Sequence, residues 1–189
     1  MSIKFVVLGF LSWQAASGYD LKKIISDSET LPWSGNSNQI YRALVDLHDE
    51  GLVTQEIEHQ EKLPARKIYS ITAKGRDKLS EWSKETPLAP QFRKPFLAQL
   101  LWADQLSPRE IDQLLDEYLN TVGEKLFMVR VQADRKPNTP DRTPRETFLW
   151  EMVQRNWIAS YELELSWIRE MREALHQFDR EFSKREASN

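Results

Sequence analysis

The chain has 189 residues, a mass of 22.3 kDa and a formal net charge of −3, with 40% apolar and 29% charged residues. That is enough for one or two domains with a real core, and no apolar run nears the roughly 20 residues that span a bilayer, so no membrane segment is expected. The absence of cysteine excludes a disulfide scaffold, a thiol nucleophile and a thiolate metal site, and fits a reducing cytoplasm.

Residues 3–14 are apolar almost throughout, from Ile3 to Leu11. The stretch is short and has neither a basic lead nor a clear cleavage site, so it reads as a buried helix and not as a signal peptide. Ser17-Gly18 breaks it. Leu21, Ile24 and Ile25 then line one side of a short amphipathic helix beginning at Tyr19. Residues 31–36 carry turn chemistry. Ser37 to Glu50 predicts a third helix, buried through Ile40, Leu44 and Leu47 and stopped by Gly51. Its other face carries Asn38, Gln39, Tyr41, Arg42 and Asp46.

Val53–Glu58 alternates as a strand does, and Lys67–Ile71 can pair with it across a polar loop, residues 59–66, holding Lys62 and Arg66. Thr72 is placed to cap a helix running to about Ser83, buried through Leu79 and Trp82. Residues 1–84 hold eleven basic and eleven acidic side chains, so bulk charge does not announce nucleic acid. Distribution says more: from Lys62 to Lys78 there are six basic residues and one acid.

Three helices and a hairpin with a basic tip suggest a winged helix-turn-helix. A helix with Asn, Gln and Arg on its outer face can enter a major groove, while Lys and Arg on the wing neutralise phosphates. Two other classes are compatible with the pattern. A protein-interaction adaptor could reuse the same fold without DNA. An enzyme is poorly supported: His48, His59 and His176 fall in three different elements, the six glycines are too dispersed for a phosphate-cradling loop, and no cofactor or metal is expected.

The strings Val7-Leu8-Gly9-Phe10-Leu11, Ser17-Gly18-Tyr19-Asp20-Leu21, Gln39-Ile40-Tyr41-Arg42-Ala43-Leu44, Leu47-His48-Asp49-Glu50-Gly51-Leu52-Val53 and Arg66-Lys67-Ile68-Tyr69-Ser70-Ile71-Thr72-Ala73-Lys74-Gly75 resemble, in order and spacing, the PadR family of transcriptional regulators. The chain departs from the family pattern at Arg42, where many members carry Pro, and at Asp20, where Glu is commoner. The resemblance implies a ligand-responsive homodimeric repressor, cytoplasmic, bound to double-stranded DNA at a palindromic operator. The candidate DNA-contacting residues are Tyr19, Lys22, Asn38, Gln39, Tyr41, Arg42, Lys62, Arg66 and Lys67.

Residues 85–94 read as a linker between a DNA-binding domain, 1–84, and a helical dimerisation and effector domain, 95–182, with a tail at 183–189. Pro95 opens a helix. Ser107-Pro108-Arg109-Glu110 and Thr143-Pro144-Arg145-Glu146 are capping boxes before two longer ones. The last runs to about Phe182 and resembles the C-terminal region of longer, phenolic-acid-responsive PadR proteins. Its apolar residues step at near-heptad spacing, and Leu165, Ile168, Leu175 and Phe178 are the candidate dimer seam. Trp150, Val153, Trp157 and Tyr161 form an aromatic stripe. It is either core or a pocket for a small aromatic effector such as a phenolic acid, with Trp150, Trp157 and Tyr161 as its walls and Arg155 or Asn156 orienting a carboxylate. The expected fold class is mainly α with a small β wing.

Overall fold

The computed structural model describes residues 3–26, 37–59, 65–89, 94–135 and 140–186. The turn at 31–36 and Lys62 lie outside them. The chain divides into two compact units, Met1–Ala89 and Pro90–Asn189.

In the first unit, α1 (Ile3–Trp13) leads through β1 (Ala16–Ser17) into α2 (Gly18–Ser26) and then α3 (Ser37–Asp49). β2 (Val53–Glu58) and β3 (Arg66–Ile71) form the wing, and α4 (Ala73–Trp82) closes the unit. The sheet is antiparallel in the order β1-β3-β2, with Val53 opposite Ile71, Glu58 opposite Arg66 and Ala16 opposite Tyr69. β1 is absent from the sequence reading because two residues carry no periodicity; its ladder to β3 is entirely a tertiary product.

The core of this unit is the inner stripe of three helices: Val7, Leu8 and Leu11, Leu21 and Ile25, Ile40, Leu44 and Leu47, all at most 2% exposed. Two local devices orient the elements around it. α3 ends in a paired-bond stop: Gly51, at φ +69°, donates to the His48 carbonyl at 2.9 Å, and Leu52 donates to the Leu47 carbonyl at 2.9 Å. Thr72 then ties α4 to that exit. Its hydroxyl accepts from Gly75 N–H at 3.0 Å, capping α4, and is 2.9 Å from the Gly51 carbonyl. Leu79 and Trp82 are only half-buried, Trp82 being stacked on Phe5 with ring centroids 4.8 Å apart.

The second unit holds α5 (Pro95–Leu101), a 3-10 turn (Ala103–Gln105), α6 (Pro108–Arg135) and α7 (Pro144–Glu186). α6 begins at the expected capping box: Glu110 accepts from Ser107 N–H at 2.7 Å, and the Ser107 hydroxyl, with that backbone bond second, holds its carboxyl below the usual range. At α7, Glu146 bonds Arg142 N–H at 3.0 Å in place of its cap residue, while Thr143 Oγ1 accepts from Glu146 N–H at 3.1 Å. α7 continues past Phe182 to Glu186, 43 residues in all. Phe96, Leu115, Val122, Leu126, Leu165 and Ile168 form the core between α5, α6 and α7. One buried carboxylate serves it: Glu164, 8% exposed, is held by Lys94 Nζ and by the Tyr118 hydroxyl at 2.9 Å.

Candidate nucleic-acid interface

α3 presents two opposite stripes. Ile40, Leu44 and Leu47 are fully buried, and Asn38, Arg42, Val45 and Asp49 run at i, i+4, i+7 and i+11 along the side turned away from them. Gln39 and Asp46 flank this outer stripe on one edge, Tyr41 and His48 on the other; all are exposed. Val45, an apolar residue with no polar group to signal a contact, is 55% exposed.

Tyr41 is exposed at its edge but braced at its face. A Cβ on Gly18 would come within 2.5 Å of Tyr41 Cε1, so the ring lies directly on the first residue of α2. The Tyr69 phenol on β3 is pushed up by burial and by the charge of Tyr41 nearby. Tyr41 therefore joins α3 to the start of α2. That start is itself capped, with Ser17 Oγ accepting from Asp20 N–H at 3.1 Å while the Asp20 carboxylate accepts from Ser17 N–H at 3.2 Å. Tyr19, 65% exposed, and half-buried Lys22 lie on the same helix.

Across the sheet, residues opposite one another share a face, and faces alternate along a strand. Lys67 and Ile57 thus lie on the Tyr69 face. Lys67 is exposed and forms no ion pair among the described residues. Arg66 points to the other face and is engaged: its Nε is 2.5 Å from Glu58 Oε2 and its Nη1 3.7 Å from Asp20 Oδ2. The Glu58 bond, chiefly, raises the pKa of the guanidinium further. Arg66 fastens the wing to the head of α2, so of the two described wing cations it is Lys67 whose charge is uncompensated.

The other predicted sites fall in the second unit. Leu165, 9% exposed, and Ile168, 0% exposed, belong to the protomer's own core and so cannot form a seam with another chain in this packing; heptad-like spacing alone does not separate an internal helix contact from an external one. Leu175 is half-buried and Phe178 is 62% exposed. Trp150, Trp157 and Tyr161 are half-buried, with the Trp157 and Tyr161 ring centroids 6.3 Å apart. The aromatic stripe needs one correction: Val153 is 47% exposed, and the residue on the buried side is Gln154, 7% exposed. Arg155 and Asn156 are exposed and do not enter that face. Among the described residues no group of three metal-ligating side chains comes together, and no helix is long and apolar enough to cross a membrane.

Residues 7–81 match the model of the transcriptional regulator PadR-like family, and residues 92–176 match that of the virulence activator alpha C-terminal region. The N-terminal unit is a PadR-like domain. The chain is a winged-helix, DNA-binding transcriptional regulator, and its family and structural relatives are regulators, not enzymes. Solved structures of PadR-type regulators cover 91–94% of the chain. The negative transcriptional regulator PadR of Bacillus subtilis is 28% identical over 125 residues, 66% of this chain and 69% of that protein. The structure of Bacillus subtilis PadR in complex with operator DNA superposes with a TM-score of 0.77 at 23% identity, covering 91% of this chain and 98% of that one. The same PadR in complex with p-coumaric acid gives 0.71 at 22% identity, over 92% and 95%. The Vibrio cholerae virulence activator AphA gives 0.69 at 25% identity, over 94% and 99%.

Proposed function

We propose that this protein is a homodimeric, effector-responsive repressor that occupies a palindromic operator in the cytoplasm. The observation that carries the DNA reading is the outward stripe of α3, set between the head of α2 and the Lys67 face of the wing. Asn38, Gln39, Tyr41 and Arg42 reach base edges, Tyr19 and Lys22 approach one backbone strand, and Lys67 the other. Lys62 extends the wing's basic set. Arg66 contributes through the wing's position, and contacts a phosphate only by sharing it with Glu58 and Asp20. Repression is supported by the negative regulator of Bacillus subtilis.

A winged helix alone reads one half-site, so a palindrome requires two copies. The seam proposed here lies on the side of α7 away from Leu165 and Ile168, where Leu149, Val153, Leu163 and Phe178 are 47–72% exposed. Leu175 flanks it. The proposed effector is a small aromatic acid held against Trp150, Trp157 and Tyr161, with the Gln154 amide as the polar group that orients it; p-coumaric acid bound to Bacillus subtilis PadR supports this class.

The test is a shift assay on the DNA upstream of the protein's own gene, over a series of salt concentrations, with and without p-coumaric acid. Sequence-selective binding that weakens steeply with salt supports DNA reading, and release by the acid over the range that quenches tryptophan emission supports the effector site. Failure to shift any duplex would overturn the first; release without a change in emission would overturn the second.

A further inference from the structure

We propose that Val45 is a base-reading residue of α3, specific for the 5-methyl group of thymine. The inference rests on the DNA-binding reading above and adds a base preference to it. Val45 is 55% exposed although it is apolar, β-branched and embedded in a helix of otherwise polar exposed positions, Tyr41 excepted. Its place is the decisive point. It sits on the outer meridian, one turn after Arg42, diametrically opposite the buried Ile40–Leu44–Leu47 stripe. On a helix lying in a major groove, that meridian faces the base-pair edges.

The groove offers one apolar feature at its floor, the thymine methyl. Arg42, four residues after Asn38, supplies the donor on the N-terminal side of Val45. On the C-terminal side the helix turns acidic, with Asp46 on the flank and Asp49 on the meridian. A carboxylate beside phosphates is repelled, so the insertion ends near Asp46, and Val45 is the last side chain of the stripe that the groove can admit. The Tyr41 ring, fixed against Gly18 one turn earlier, keeps that segment from rolling. An exposed valine there has lost a transfer free energy that contact with a methyl group returns on binding.

The test uses the full-length protein. Tight duplexes are first selected from a random pool, then each thymine in turn is replaced by deoxyuridine, which differs only in lacking the methyl. For the wild type, one or two uridine positions per half-site should weaken binding about fourfold, the loss expected for one methyl contact. Val45→Ala should bind the all-thymine duplex about fourfold more weakly and be indifferent to uridine at those same positions; Val45→Thr, which keeps one methyl, should recover part of the response. Because Val45 is exposed and alanine favours helix, the variants should melt as the wild type does. Wild-type affinity and an unchanged uridine profile in Val45→Ala, while Arg42→Ala still loses binding, would overturn the proposal and leave the DNA reading intact. A pool that yields no selected duplex would overturn both.

Discussion

Ile168→Ala separates a core residue from a seam residue. Ile168 is 0% exposed and packs with Phe96, Leu115, Val122, Leu126 and Leu165. The substitution removes three carbons, about 2.4 kcal/mol of lost transfer at ~0.8 kcal/mol each, and leaves a cavity that brings the expected cost to roughly 3–4 kcal/mol. For a unit near 100 residues, each kcal/mol lowers the midpoint by about 4–8 °C, so the C-terminal transition should fall by roughly 12–30 °C. The assay is a thermal melt followed by circular dichroism at two protein concentrations a hundredfold apart. A core defect shifts the midpoint equally at both concentrations, whereas a seam defect shifts it through dissociation and so depends on concentration. The N-terminal unit, with its separate core at Leu8, Leu21 and Leu44, should keep its own transition. A variant that melts as the wild type does but sediments at half the mass would refute the reasoning and return Ile168 to the interface.

Gly75→Ala should destabilise the winged-helix unit by about 1–3 kcal/mol in urea titration, because a Cβ there would overlap the Leu52 backbone carbonyl, which cannot swing aside. Gly18→Ala instead meets the end of the Tyr41 ring, which can tilt, so the melt should move little while operator affinity falls. Lys67→Ala should lower the slope of log affinity against log salt by about 0.9, one phosphate contact, and Arg66→Ala by clearly less, since Glu58 and Asp20 already compensate that charge; equal slopes would show that Arg66 leaves them on binding. Burial and the neighbouring Glu164 carboxylate push the Tyr118 phenol up from 10.0 to about 12, so its contribution to stability is complete below pH 10 and is lost as the pH rises towards 12; Tyr118→Phe should flatten that decline in a stability-versus-pH series.

The elements with a strong local signal were legible in the sequence. α3 announced itself through Ile40, Leu44 and Leu47, its stop through Gly51, and α4 and α6 through Thr72 and the Ser107–Glu110 box. Features created by distant partners were not. β1 exists because Ala16 and Ser17 meet Tyr69 and Ile68, half the unit away in sequence. Ile168 and Phe178 share a spacing but not a fate, because only the neighbouring α6 decides which side of α7 is covered. Gln154 interrupts an apolar pattern, so spacing favours Val153 as the inward residue whereas the helix phase places the amide there. Arg66 looked like a phosphate ligand because its two carboxylate partners lie eight and forty-six residues away. Val45 carries no outward signal in the sequence, because an apolar residue on a helix matches a core position.

Those pairings also bear on how a unit with eleven basic and twelve acidic side chains, residues 1–89, could read DNA. Several of its acids are spent internally: Glu50 on Lys4, Glu81 on Lys78, and Glu58 with Asp20 on Arg66. Arg42, Lys67, Lys22 and Lys23 form no ion pair among the described residues, and they lie on α3, the wing and α2. Whereas Lys74 and Arg76 on α4 donate to the Glu50 and Ser12 carbonyls, these four cations lie on the elements proposed to approach the duplex, although the unit's sum is not positive. They are few, so one unit neutralises few phosphates and gains little nonspecific affinity. On the proposed two-copy reading, a protein built this way would depend on base contacts for selectivity and on linkage of two copies for strength. Joining two weak half-site binders raises overall affinity by effective concentration without any new contact. The long α7, whose 43 residues span about 65 Å against about 42 Å for α6, has apolar side chains to spare on its far side for that linkage.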